Sequence, residues 1–138
     1  MGKCAYCGSA DVENKVKVNT WSGVGRQDVE FEYCSAACKQ EIEAFSSYVN
    51  RNAAKFLTGI GVLVMAMVLG GGLFPRFGLF IVGGASFLMG LLIVVFPFAT
   101  PQTNRMMGIR NAVKTARVLG GMVSVMGLLA FWLGINNL

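Results

Sequence analysis

Residues 56–74 read FLTGIGVLVMAMVLGGGLF and contain no ionisable side chain. A helix that rises about 1.5 Å per residue needs roughly 20 such residues to cross the hydrocarbon core of a bilayer, which is about 30 Å thick. Two further stretches have the same character, at residues 77–98 and 118–135. Helices of a soluble bundle would each need a polar face, and none of the three stretches has one. The sequence therefore predicts a mainly α membrane protein with three transmembrane helices.

The connections between the three apolar stretches differ in length. Residues 70–78, GGGLFPRFG, are rich in helix breakers, which predicts a tight antiparallel pair of the first two helices. Residues 100–117 form a longer connection whose cations Arg110, Lys114 and Arg117 fall on one helical face. This spacing predicts an interfacial or membrane-entering helical segment that leads into the third span.

Charge is distributed unevenly along the chain. All seven acidic residues precede position 44 together with five of the twelve cations, so that part carries a net charge of −2. The remaining seven cations have no acidic counterpart, and six of them fall on the same side of the membrane as the N-terminus. The positive-inside rule therefore predicts a protein of the cytoplasmic membrane with its N-terminus inside and its C-terminus outside. Arg76 is then outside, and the six inside cations are Arg51, Lys55, Arg105, Arg110, Lys114 and Arg117.

Residues 1–48 read as a compact module that precedes the transmembrane domain at residues 49–138. Apolar and polar side chains alternate over residues 16–18 and again over residues 29–33. Residues 21–25 between these runs contain two glycines. Alternation on both sides of a glycine-containing loop is typical of a β-hairpin.

A short helix is predicted directly after the hairpin. Ser35 is a good N-cap residue, and the following good helix formers place Cys38, Ile42 and Phe45 on one face. We expect this helix to continue toward the membrane, with a bend around residues 46–47. The module is thus a β-hairpin plus a short helix.

The four cysteines form two close pairs, Cys4 with Cys7 and Cys34 with Cys38. The chain contains no histidine, so thiolates are its only strong ligands for a soft metal. The first pair, followed by Gly8, has the spacing of a zinc knuckle, and the second fits a strand end and the first turn of a helix. A module of this size buries too little core to fold alone. The spacing therefore predicts one structural Zn²⁺ ion bound by all four thiolates.

Two other uses of the same four thiols stay open. They could form a redox-active or regulatory set, or they could hold iron or an iron–sulfur cluster. Two disulfides are disfavoured, because the predicted orientation places the cysteines in a reducing compartment.

Residues 31–38, FEYCSAAC, with Phe45 downstream, resemble part of the treble-clef zinc fingers of the TRASH, FCS and MYM type. Those fingers have a CxxC knuckle, a hairpin, and an aromatic-Cys-Ser-x-x-Cys run that opens a helix. The resemblance covers about a third of the chain, and the gap in the second cysteine pair is one residue longer than in some members. It implies a bound zinc on Cys4, Cys7, Cys34 and Cys38, a treble-clef or zinc-ribbon fold, and a role in protein contact or metal handling. The chain also resembles small prokaryotic, especially archaeal, membrane proteins that carry an N-terminal zinc ribbon.

The residue types present argue against catalysis and transport. No nucleophile–base pair, carboxylate pair or phosphate loop can be assembled from them, so we expect no enzymatic activity. The three stretches offer only Thr58, Ser86 and Ser124 as polar side chains, which leaves no ion or proton pathway. The net charge of −2 on the module opposes nucleic-acid binding.

We therefore expect a non-enzymatic accessory, assembly or regulatory subunit of a larger membrane protein complex, with the zinc module as its cytoplasmic docking element. Its expected partners are other membrane protein subunits and the lipid bilayer, without nucleic acid or a small-molecule substrate. The alternative is a thiol-based metal or redox sensor, or a metal-delivery protein, of the membrane. That alternative requires exposed thiolates of lowered pKa.

The sequence does not decide the role of the hairpin loop or of the small residues in the apolar stretches. Trp21 and Arg26 in the hairpin loop either contact a partner protein, or Trp21 covers the zinc site or rests at the membrane interface.

Small residues four positions apart let helices approach closely, either within this chain or with another. Such pairs are Ala66 with Gly70, Ser86 with Gly90, Gly120 with Ser124, and Ala130 with Gly134.

Overall fold

The computed structural model describes residues 3–12, 14–23 and 25–137. Residues 1, 2, 13 and 24 of the predicted module and Leu138 of the predicted outer tail lie outside the described residues. The elements are, in chain order, strands β1 (Asn14–Trp21) and β2 (Arg26–Tyr33), helix α1 (Ala36–Leu73), a 3-10 turn (Pro75–Phe77), and helices α2 (Gly78–Val95), α3 (Pro101–Met107) and α4 (Ile109–Asn136).

The three predicted apolar helices are confirmed. α1, α2 together with the preceding 3-10 turn, and α4 are each long and apolar enough to cross a membrane, judged by length and composition. The rest of the fold is a two-stranded hairpin and the short helix α3. The protein is thus mainly α, with three helices of membrane-spanning length and a small N-terminal module.

β1 and β2 form the predicted antiparallel hairpin. The register pairs Asn14 with Tyr33 at one end and Trp21 with Arg26 at the other. Phe31 lies in the middle of the inner face and is buried. Because side chains alternate along a strand, the opposite face is charged. It carries two ion pairs, Lys15 with Glu32 at 3.5 Å and Lys17 with Glu30 at 3.7 Å.

α1 joins the predicted module helix and the first span into one continuous helix. It starts after Ser35, whose hydroxyl accepts a hydrogen bond from the Cys38 N–H group at 3.3 Å, the geometry of an N-cap. The helix is not interrupted at residues 46–47. Nothing in the sequence between Ala36 and Lys55 breaks it, because that segment contains neither glycine nor proline. Its buried residues lie on one face, at Ile42, Ser46, Val49 and Ala53.

α2 and α4 differ slightly from the predicted spans. α2 ends at Val95, short of the predicted end at residue 98, because Pro97 disfavours a helical conformation in the residue before it. The cationic segment at residues 100–117 is divided between α3 and the first part of α4, which begins at Ile109 and contains Arg110, Lys114 and Arg117. Gly108, with a φ of +80°, separates α3 from α4.

The described residues form two compact units. The first contains the N-terminal residues through Ala54 and also Phe98–Thr115, and the second contains Lys55–Pro97 and the residues from Ala116 onward. The connection between the second and third apolar helices therefore belongs to the same unit as the hairpin. The core of this first unit is formed by Ala5, Phe31, Ile42 and Ile109.

In the second unit, α2 and α4 approach each other closely through glycines. A Cβ atom added at Gly134 would lie 2.6 Å from the amide nitrogen of Phe80. The Ser124 hydroxyl donates a hydrogen bond to the carbonyl oxygen of Phe87 at 3.3 Å. The glycines of the four predicted small-residue pairs each face another helix of the same chain, so they serve internal packing. These are Gly70 against Ile81, Gly90 against Ser124, Gly120 against Ile93, and Gly134 against Phe80.

Candidate metal centre

Cys4 and Cys7 lie in a tight turn that precedes β1. The turn is closed by a hydrogen bond of 2.8 Å from the Gly8 N–H group to the Cys4 carbonyl oxygen. Gly8 has a φ of +81°, a conformation that glycine adopts without strain. The Ala5 N–H group donates to the Glu32 carbonyl oxygen at 2.7 Å. This bond attaches the turn, called the knuckle below (residues 4–8), to β2.

Cys34 and Cys38 bracket the start of α1. Cys34 directly follows the last residue of β2, and Cys38 lies in the first turn of the helix. The unpaired N–H groups and the dipole at a helix N-terminus favour negative charge at this place. The end of the hairpin thus places the second pair of thiols next to the knuckle.

The four sulfur atoms come together in one cluster. All four Sγ atoms lie within 4.8 Å of one another, and the Sγ atom of Cys34 is 3.5 Å from the Sγ atom of Cys7 and 3.5 Å from that of Cys38. No disulfide joins them, since a sulfur–sulfur bond is about 2.05 Å long. Sulfur atoms around a tetrahedral ion with Zn–S distances of about 2.3 Å are roughly 3.7 Å apart. The four cysteines are therefore positioned to hold one metal ion.

The cluster is buried on one side and open on the other. Cys4 is only 1% exposed, whereas Cys7 is exposed and Cys34 and Cys38 are half-buried. A metal bound here would contact the core of the first unit through Cys4 and would be reached from solvent through Cys7.

The thiols of the cluster differ in pKa. Burial raises the pKa of Cys4, but hydrogen bonds from the backbone of Cys7, Tyr6 and Cys34 outweigh it and lower this pKa from 9.0 to about 6. Hydrogen bonds with the thiols of Cys38, Cys7 and Cys4 raise the pKa of Cys34 to about 12. Peptide groups therefore stabilise one thiolate, and a cation would be needed to stabilise several.

α3 and the start of α4 also contribute to the surroundings of the cysteines. The Ile109 N–H group donates to the Ala5 carbonyl oxygen at 2.7 Å. The Arg105 guanidinium donates to the Glu30 carbonyl oxygen at 2.8 Å and lies 6.0 Å from the centre of the Phe31 ring. The sequence identified Arg105 only as an inside cation. Nothing in it pairs this segment with the hairpin, because the two are 75 residues apart.

Trp21 lies at the end of the hairpin away from the cysteines. Its partner Arg26 is at the start of β2, and Cys34 follows the end of that strand. Seven steps of about 3.3 Å along a strand give a separation of roughly 23 Å. Trp21 therefore does not cover the cysteine cluster, and its use as a contact for a partner or for the membrane interface stays a prediction.

Comparison with known proteins found no matching family, no matching curated protein and no matching solved structure. The resemblance to zinc fingers of the TRASH, FCS and MYM type therefore depends on the cysteines and their neighbours alone, and the assignment to that type stays a prediction.

Proposed function

We propose that Cys4, Cys7, Cys34 and Cys38 bind one structural Zn²⁺ ion. The observation that carries this proposal is the gathering of all four Sγ atoms within 4.8 Å of one another. Four thiolates complete the tetrahedral coordination of zinc, whereas a catalytic zinc keeps one position for water or substrate. The ion would hold together the knuckle, the end of β2 and the start of α1.

At the level of the whole protein, we propose a non-enzymatic accessory, assembly or regulatory subunit of a larger membrane protein complex. Three apolar helices would anchor it in the cytoplasmic membrane, with the N-terminus inside according to the distribution of cations. The first unit would then be a rigid cytoplasmic docking element. Its hairpin presents a charged outer face, of the kind that fixes the orientation of a protein partner more than it adds affinity.

Native mass spectrometry of the protein, extracted from its own membrane in mild detergent, tests both proposals. We expect one zinc per chain and a defined mass that includes other subunits. The double variant C4S/C7S should lose the metal, and the matched control S9A, which removes a neighbouring polar side chain, should keep it. A chain without metal would overturn the zinc proposal, and a chain that always appears alone would overturn the subunit proposal.

One observation favours a second function, that of a metal-delivery protein or a thiol-based metal or redox sensor. The thiol of Cys7 is exposed, so an incoming ligand or oxidant can reach the cluster from that side. A strong chelator distinguishes the two functions. Zinc that transfers to the chelator within the time of mixing supports delivery or sensing, and zinc that stays until the protein unfolds supports a structural ion.

A further inference from the structure

The start of α4 lies directly against the knuckle. The first N–H groups of any α-helix have no acceptor within the helix and need one from elsewhere. In α4, the Ile109 N–H group donates to the Ala5 carbonyl oxygen at 2.7 Å, and the Arg110 N–H group donates to the Tyr6 carbonyl oxygen at 3.2 Å. The two residues between the metal ligands Cys4 and Cys7 therefore cap this helix with their backbone.

Gly108 makes this contact possible. It has a φ of +80°, and a Cβ atom at this position would lie 2.8 Å from the Tyr6 carbonyl oxygen and 3.2 Å from the Gly8 amide nitrogen. The first hydrogen bond within the helix runs from Ala112 to the Gly108 carbonyl oxygen at 2.9 Å. The third nearest atom is the carbonyl carbon of Cys7 at 3.4 Å, so a side chain at position 108 would press on the backbone of the knuckle and push it away from the helix end.

The cap depends on the shape of the knuckle, and a metal would fix that shape. Ala5 and Tyr6 lie between two ligands, so an ion bound to Cys4 and Cys7 restrains the peptide groups on both sides of them. Without an ion, only weak contacts between thiols would join the sulfur atoms of the knuckle to those of Cys34 and Cys38. The carbonyl groups of Ala5 and Tyr6 would then lose their alignment with α4.

We propose that the metal centre is a latch, in which bound Zn²⁺ holds the knuckle as the N-terminal cap of α4 and metal loss releases the start of that helix. This inference rests on the proposed binding of zinc. A second attachment, from Arg105 to the Glu30 carbonyl oxygen, does not involve the knuckle. Metal loss would therefore free the beginning of α4 while α3 keeps one bond to β2.

Hydrogen exchange measured by mass spectrometry on the full-length protein in mild detergent tests the latch. Peptides that cover residues 106–116 are followed while zinc is titrated out with a chelator. We expect the amides of Ile109 and Arg110 to exchange about thirty-fold faster without zinc, the factor that corresponds to losing two hydrogen bonds of average net strength. Peptides from residues 120–136 of the same helix should not change.

The variant G108A tests the capping of α4 by the knuckle separately from the binding of zinc by the cysteines. It leaves all four ligands in place, so it should retain one zinc per chain and yet show the fast exchange at residues 109–110. The variant R105Q should retain zinc and slow exchange at those amides. If zinc leaves the native protein and exchange at residues 109–110 stays slow, the latch is wrong although the zinc proposal stands. If the native protein never holds zinc, both fail.

Discussion

At the scale of single residues, Arg105 is the side chain that ties the α3 segment to the hairpin. Its guanidinium donates to the Glu30 carbonyl oxygen and lies near the Phe31 ring. We expect R105Q to lower the free energy of unfolding of the first unit by about 1–2 kcal/mol, because a charge-assisted hydrogen bond and a weak cation–π contact are lost. The control R110Q removes the same charge from an exposed side chain and keeps the backbone bond to Tyr6.

Fluorescence of Trp21 during chemical unfolding of the zinc-loaded protein measures this difference. The background substitution W132F leaves Trp21 as the only tryptophan, so the signal reports on the hairpin. R110Q should unfold at nearly the same denaturant concentration as the W132F parent, and R105Q should unfold at a clearly lower concentration. Equal midpoints for the two variants would show that the Arg105 contacts contribute nothing to the stability of this unit.

The cysteines could be predicted from the sequence and the role of Arg105 could not. Cysteines that can hold a metal come in pairs with two or three residues between them, a local spacing that is visible without a fold. The contact of Arg105 with Glu30 joins residues that only the tertiary structure brings together. The same holds for Gly108, whose place against Tyr6 is set by packing in the first unit.

At the scale of elements, α2 and α4 pack through glycines whose hydrogen atoms face the other backbone. A Cβ atom at Gly90 would collide with the backbone nitrogen and the hydroxyl of Ser124 and with the carbonyl oxygen of Gly120. We expect G90A to destabilise the helix pair by about 1–3 kcal/mol, because the helices must move apart. Gly121 provides the matched control, since a Cβ atom there meets nothing within 4 Å.

Thermal unfolding in detergent, followed by the helical circular dichroism signal, compares these two variants. G121A should unfold at or slightly above the temperature of the native protein, because alanine favours a helix more than glycine does. G90A should unfold at a lower temperature than both. A G121A protein that loses stability while G90A does not would mean that Gly121 faces another chain and that α2 and α4 pack differently.

The helices could be predicted from apolar length, but some of their boundaries could not. Length and the absence of charge identified all three apolar helices because a bilayer requires both. The spacing of the cations predicted a helix ahead of the third apolar stretch, but not its start at Ile109, where the knuckle supplies acceptors for the first N–H groups. The continuity of α1 follows from an uninterrupted run of helix-compatible residues that the two serines do not break.

At the scale of the whole molecule, charge and hydrophobicity divide the sequence at the same place. All acidic residues precede position 44, and the apolar helices follow. This division predicted a small polar module and a membrane part. It did not predict that residues 98–115 belong to the compact unit of the hairpin, because a stretch between two apolar helices carries no local sign of the surface it packs against.

The distribution of cations leads to a prediction about orientation in the membrane. An alkaline phosphatase fused to the C-terminus should be active, because it folds only outside the cytoplasm, whereas a green fluorescent protein at the same place should stay dark. Substituting Arg105, Arg110, Lys114 and Arg117 by glutamine removes four of the six cations that are predicted to lie inside, and it should lower phosphatase activity by producing a mixed orientation. The matched control replaces four cations of the module that are far in sequence from the apolar stretches, namely Lys3, Lys15, Lys17 and Arg26. It should keep full phosphatase activity, since only charges close to a span set its orientation. If the native protein fused to green fluorescent protein is fluorescent and its phosphatase fusion is inactive, the C-terminus lies inside. With three spans the cysteine cluster would then lie on the outer, oxidising side of the membrane. Two disulfides would become the expected state of the four thiols there.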